Sequence, residues 1–276
     1  MPQPLVAATC IVRNTAARKG RTRAVEPGPT ASRYLHYGRI ILEPADAPVR
    51  FGTAALETGL ICLRGEAAVK AGGNAYALSR FDTLYVPRDT DVEVTAGASG
   101  CDLAEVAAPV DKRRPIQFVS YAASATDSSL HFKTGGPAAQ RELSVLIGKN
   151  VDAGRIMAGV TFSQPGNWTS WPPHEHAAML EEAYLYIEMP PPGFGIQLVY
   201  ADAREPELAT IVREGDVVLM PQGYHPNVAA PGSGINFLWM MAAHREDVDR
   251  QYGVVNVQPD FAALGSGLDA ARSKRP

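Results

Sequence analysis

Of the six histidines in this chain, His174 and His176 stand two apart behind a pair of prolines, in Trp171-Pro172-Pro173-His174-Glu175-His176. Proline holds φ in the extended range, and in extended chain residues i and i+2 project to one face, so both imidazoles can hold one ion. Glu175 between them points away by the same alternation. After a short loop, Glu181-Glu182-Ala183-Tyr184-Leu185-Tyr186 alternates as a strand does and can supply a carboxylate to the same interior. His225 follows Pro221, which ends a further strand, and would be a fourth ligand arriving from the far side. Imidazoles with one carboxylate suit Zn, Fe, Mn, Co or Ni, and no soft ligand is present to select copper(I).

Such ligands have to be carried by strands. Short apolar or alternating runs recur at 39–42, 59–63, 83–86, 91–94, 144–147, 155–162, 182–188, 195–200, 216–220 and 235–241, each bounded by Gly, Pro, Asp or Asn. Runs of four to eight residues at this spacing predict an all-β sandwich or barrel. Few segments offer a helix of three turns; the clearest is 260–272, interrupted by Gly265 and Gly267. The segment from Arg80 to Asp91 reads like that from Glu214 to His225 at a constant offset of 134 residues: a turn, an apolar strand, a proline, and a polar residue four positions on. The chain therefore reads as a duplication whose first copy has Asp91 where the second has His225. The joint between copies is expected within 107–136.

Composition excludes several classes. The 276 residues carry 26 Lys and Arg against 29 Asp and Glu, a net charge of −3, so there is no basic footprint for nucleic acid. Hydrophobic residues make up 46%, which is that of a globular protein rather than a disordered one. No apolar run approaches the ~18 residues of a membrane span, and the N-terminus lacks the order of a signal peptide. Three scattered cysteines, Cys10, Cys62 and Cys101, make no disulfide framework. A cytoplasmic protein with no nucleic-acid or membrane partner is the expectation.

The order His-x-His, Glu on a strand, then Gly-Asp-x4-Pro-x3-His resembles the two motifs of the cupin superfamily. The phrases 165–176, 181–186, 192–200 and 215–226 resemble more narrowly the bicupin isomerases of inositol catabolism, the 5-deoxy-glucuronate isomerases. The likeness is dense over 141–241, thinner over 34–94, and weak in 1–33 and after Tyr252. It implies two jelly-roll β-barrels related by internal duplication: an N-terminal extension 1–33, a cupin domain 34–136 without metal ligands, a metal-binding cupin domain 137–252, and a tail 253–276. The implied ligands are His174, His176, a glutamate and His225, holding a divalent ion such as Zn, Mn or Fe. Aligning the strand as Glu-x-Tyr-x-Tyr selects Glu182, whereas counting from His174 selects Glu181. Strand register is the better guide, because a loop absorbs a length change and a pleat does not.

The implied reaction is an aldose-ketose isomerisation of 5-deoxy-glucuronate to 2-deoxy-5-keto-gluconate, with Glu182 and Tyr184 as candidate catalytic groups. The small-molecule partner is thus a sugar acid, whose carboxylate calls for a cation. Arg155 and Lys149 are candidates for it, and Trp171 for a pocket wall. Trp239 lies in an apolar strand and is expected in the core. The same donor set would also serve an Fe(II) dioxygenase or a non-catalytic sugar-binding bicupin. Exposed apolar strand faces in bicupins pack between domains or subunits, which leaves room for a homo-oligomer.

Overall fold

The structure is a computed structural model that describes residues 5–268. It is built almost wholly of antiparallel strands; helix among the described residues is confined to Ala7–Cys10, Tyr121–Ser124 and the 3-10 segment Pro259–Leu264. None is long and apolar enough to cross a membrane. The helix expected over 260–272 is corrected to that short 3-10 segment. Gly265 and Gly267, at φ 72° and 69°, take the chain out of helical conformation, and 269–272 lie outside the described residues.

In the first half, the sheet runs Gly20–Val25, His36–Leu42, Asp91–Pro109, Leu56–Ala71, Thr83–Val86, Gln117–Val119. Leu56–Ala71 and Asp91–Pro109 pair along nearly their whole length. Register shifts after Cys62 and Gly65 let this one pair bend to serve both walls. The second half instead uses two larger sheets and a two-stranded one of His174–Glu175 with Asn256–Val257. Of the larger two, one runs Ile11–Val12, Val217–Met220, Leu180–Tyr186, Phe237–Ala243, Ile156–Ser163, Arg141–Ile147, His131–Thr134; the other runs Trp168–Thr169, Asn227–Ala229, Gly195–Val199, Leu208–Val212. The break between Leu180–Tyr186 and Gly195–Val199 falls on Pro190, Pro191 and Pro192, which have no N–H to donate to a ladder.

The two halves superpose in their registers. Thr58 pairs with Val86 as Glu182 pairs with Met220. Phe81 and Gly215 enter the equivalent turn with φ 65° and 84°, and their N–H groups donate to the carbonyls of Cys62 and Tyr186. By this register Glu57 stands where Glu181 does, and Thr58 where Glu182 does. The chain also exchanges strands between halves. Ile11–Val12 extends the second half's sheet against Val217–Met220, while Gln117–Val119 extends the first half's against Thr83–Val86.

The barrel interiors differ. That of the first half is closed by Ile40, Leu60, Cys62, Val69, Leu84, Val94 and Leu103, all buried and apolar. A larger cluster joins the halves face to face, with Tyr37, Ile61, Tyr85 and Val106 packed with Ile147, Ile156, Ala158 and Met240. The second interior keeps polar side chains, and Gly159 shapes it. A Cβ there would lie 2.2 Å from Trp239 Cζ2 and 2.3 Å from the Ser144 carbonyl. Gly159→Ala is therefore expected to destabilise the fold by about 1–3 kcal/mol and to shift Trp239. Urea unfolding and tryptophan fluorescence measure both effects.

Candidate metal centre

The three histidines are each anchored through Nδ1 to a backbone carbonyl: His174 to Pro172 at 2.8 Å, His176 to Leu180 at 3.2 Å, His225 to Gly223 at 2.9 Å. A carbonyl only accepts, so Nδ1 carries the proton, and in the neutral imidazole each Nε2 presents a lone pair. This is the outer support that metal-ligating imidazoles ordinarily have. Glu182 Oε2 lies 3.1 Å from Nε2 of both His176 and His225. Ligand atoms of His176, Glu182 and His225 fall within 4.8 Å of one another, the one such group of three among the described residues. His174 stands beside them, its ring centroid 5.1 Å from that of His225 and 6.5 Å from that of His176.

All four side chains are buried, and His225 Nε2 has no hydrogen-bond partner of acceptable geometry. Lone pairs converging on one point, one of them orphaned, fit a cation. Burial lowers the pKa of His174 to about 3, which keeps it neutral. Burial alone would raise that of Glu182, but the neighbouring His176 and His225 outweigh it and hold the group at about 2. His176 is shifted up: burial pulls it down, and the Glu182 carboxylate more than reverses that. Neutral His174 and ionised Glu182 are the protonation states that metal ligation requires.

The pleat of Leu180–Tyr186 separates two adjacent glutamates. Glu182 faces the histidines. Glu181 faces the other half of the molecule, where its carboxylate accepts from the backbone N–H groups of Arg33, Tyr34 and Leu35 at 2.5–2.7 Å. The count from His174 that selects Glu181 as ligand is thus overturned. Glu57, at the equivalent position of the first half, accepts in return from Gly154, Arg155 and Ile156 N–H at 2.6–2.8 Å and from Tyr85 Oη at 2.7 Å. A reciprocal pair of carboxylates therefore ties the halves together.

Tyr184 lies on the Glu182 face, its ring stacked on Phe237 and edge-on to His225, and its hydroxyl 2.7 Å from Ser170 Oγ. Burial raises its pKa well above the usual phenol range, so it stays protonated. Tyr186 is deeper, donating to Gln197 Oε1. Glu175 turns outward to Asn256 and the Ala177 N–H. Two expectations are corrected. Arg155 donates to the carbonyls of Pro109, Ala243 and His244 and lies over the Tyr34 ring, so its charge serves the joint between halves. The Trp171 ring packs against Trp168 and Phe261 and is not on the cavity wall. Lys149 is exposed.

A small cavity of about 40 Å³ adjoins the centre, walled by Arg141, Thr161, Ser170, His174, Glu182, Tyr184, Trp239 and Tyr252 among others. Arg141, Ser170 and Tyr252 escaped the sequence reading. The available signal was an arginine on the same strand face as Leu143 and Val145, where an apolar residue belongs. The strap from Val254 to Leu268 covers this region: Asn256–Val257 pairs with His174–Glu175, Gln258 N–H donates to the Pro173 carbonyl, and Leu268 lines the cavity.

Residues 10–262 match the KduI/IolB family model. Among curated relatives, the chain is 30% identical over 183 residues to the 5-deoxy-glucuronate isomerase of Geobacillus thermodenitrificans, covering 62% of this chain and 65% of that protein. It is 28% identical over 168 residues to the enzyme of the same name from Bacillus subtilis strain 168, covering 58% and 60%. The matched region thus spans under two thirds of the length of these relatives. An IolB-like protein from Salmonella typhimurium LT2 has the same fold, with a TM-score of 0.81, 23% identity, and coverage of 93% of this chain and 99% of that one. A point mutant of the oxalate decarboxylase of Bacillus subtilis is similar at a TM-score of 0.62 and 12% identity, covering 91% and 79%. The fold is the all-β bicupin expected.

Proposed function

Because this chain belongs to the KduI/IolB family, we propose that it is a metal-dependent aldose-ketose isomerase converting 5-deoxy-glucuronate to 2-deoxy-5-keto-gluconate. The observation that carries the reading is the convergence of His176, Glu182 and His225, with His174 beside them, on one buried point. These four residues would hold a divalent ion, which would supply the charge that polarises the substrate's carbonyl and acidifies the neighbouring C–H. The donor set accommodates Zn, Mn or Fe.

The isomerisation moves one proton between neighbouring carbons and one between their oxygens. Glu182 is the one carboxylate on the cavity wall among the described residues. Both its contacts with the histidines use Oε2, and Oε1 is the atom that takes the carbon-bound proton and returns it. Tyr184, kept protonated by burial and hydrogen-bonded to Ser170, holds a proton at the right depth to exchange with a substrate oxygen. Room for about 40 Å³ holds little more than water, so a sugar acid enters when the strap over the cavity parts.

The direct test incubates purified protein with 5-deoxy-glucuronate, before and after chelation and after adding back Zn, Mn or Fe(II). The expected result is a ketose product that disappears on chelation and returns with metal. Absence of turnover with every metal would overturn the assignment.

A further inference from the structure

We propose that Arg141, assisted by the indole N–H of Trp239, receives the carboxylate of the substrate inside this cavity and thereby restricts the enzyme to sugar acids. The inference rests on the isomerase reading of the site and names the residue that selects its substrate class.

Arg141 begins the strand Arg141–Ile147 and is 4% exposed. Buried cations are ordinarily paired with an acid. Arg39 and Arg114, as little exposed as Arg141, obey this: Arg39 binds Asp102, and Arg114 binds Asp152, Glu246 and Asp247; the half-buried Arg250, away from this cavity, bonds only the carbonyls of Ile156 and Gly148. Arg141 makes hydrogen bonds only to two neutral carbonyls, of Ala139 at 2.9 Å and Trp171 at 2.8 Å, and no carboxylate pairs with it among the described residues. A guanidinium has five N–H donors in a planar fork that fits a carboxylate through two parallel bonds, and two carbonyls do not exhaust them. Burial lowers its pKa, a cost that an incoming anion would relieve.

Trp239 is an independent pointer to the same ligand. Its ring is buried on the same cavity wall, opposite Tyr184 in the strand register, and its Nε1 has no partner. An indole N–H only donates, and left buried without an acceptor it is destabilising. One cavity thus holds an uncompensated cation and an unused donor on its wall, with the imidazole and carboxylate ligands beside them. A molecule with a carboxylate at one end and carbonyl and hydroxyl oxygens at the other satisfies both sets. The strap closes this end: Gly267, at φ 69°, passes so near that a Cβ there would come within 2.8 Å of Arg141 Nη2.

The test titrates 5-deoxy-glucuronate and its methyl ester into the metal-loaded protein by calorimetry, alongside turnover. Wild-type protein is expected to prefer the acid by at least roughly a hundredfold, the range for a desolvated, hydrogen-bonded charge pair. Arg141→Gln should bring that ratio close to one by weakening the acid alone, and Trp239→Phe should reduce it by roughly tenfold, each with metal content unchanged. A wild-type protein that does not distinguish acid from ester, or an Arg141→Gln protein that keeps the preference, overturns the proposal. If Arg141→Gln does not fold, Arg141→Lys decides. It should weaken the acid by roughly tenfold while sparing the ester, since the charge remains and the fork is lost; equal losses on both ligands count against the proposal. Arg141-dependent acid binding without turnover would remove the isomerase reading and leave the carboxylate site. Turnover with an acid preference indifferent to Arg141 would do the reverse.

Discussion

Replacing His176 or His225 with alanine is expected to leave a folded protein that retains almost no metal and isomerises at least about 10³-fold more slowly. Each imidazole is aimed at the centre by a carbonyl behind it, and each shares Glu182 Oε2 as its neighbour at 3.1 Å. Removing one takes away a quarter of the donor set and leaves the Glu182 charge less compensated in a buried site. Alteration of even the outer supports of a metal ligand typically costs 10–100-fold in affinity or activity, and loss of the ligand itself costs more. Elemental analysis of the purified variants and kcat/KM with added metal are the measurements. Metal at wild-type stoichiometry in both variants would mean that the ion, if bound, sits elsewhere.

The second large effect is on stability. Glu181→Ala is expected to cost at least about 3 kcal/mol, and Glu57→Ala a similar amount, because each leaves three or more buried donors without an acceptor. Against a total of about 5–15 kcal/mol for a folded domain, such a loss shifts the urea midpoint plainly. Glu181→Gln, which keeps one acceptor oxygen, should fall between. The folded fraction of Glu181→Ala should still bind metal like the wild type, whereas Glu182→Ala should reverse the pattern, losing metal with a smaller change in midpoint. Loss of metal from the Glu181 variant with its stability intact would contradict the division of roles described for the two glutamates.

These neighbouring glutamates mark where local pattern stops being informative. Alternation along 181–186 says that the two side chains point to opposite faces, and the Glu-x-Tyr-x-Tyr phrase assigns the inner face to Glu182. Every residue of Leu180–Tyr186 is buried, however, so both faces meet protein. What Glu181 meets is the backbone at residues 33–35, nearly 150 positions earlier in the chain, and no local signal reports that. Glu57 is quieter still, since its equivalence to Glu181 emerges only when Thr58–Val86 and Glu182–Met220 are recognised as the same pairing. The arginines give the same lesson. Arg141 and Arg155 both stand at the start of second-half strands, and their sequence surroundings do not say which charge enters the cavity. Docking of the two halves spends Arg155 on three carbonyls and leaves Arg141 inside without an acid.

The sequence by itself determined the all-β class, the duplication and the residues able to ligate a metal, because strand alternation, turn-forming glycines and prolines, and ligand chemistry are carried by residues close together in the chain. Only the tertiary structure decided which glutamate faces the centre and which joins the halves, that the N-terminal strand belongs to the second half's sheet, and which arginine is left uncompensated in the cavity. Those outcomes depend on partners far away in the chain, brought into contact by burial of the apolar faces of two sheets, and the energy of a buried charge is set by those partners rather than by its neighbours in sequence.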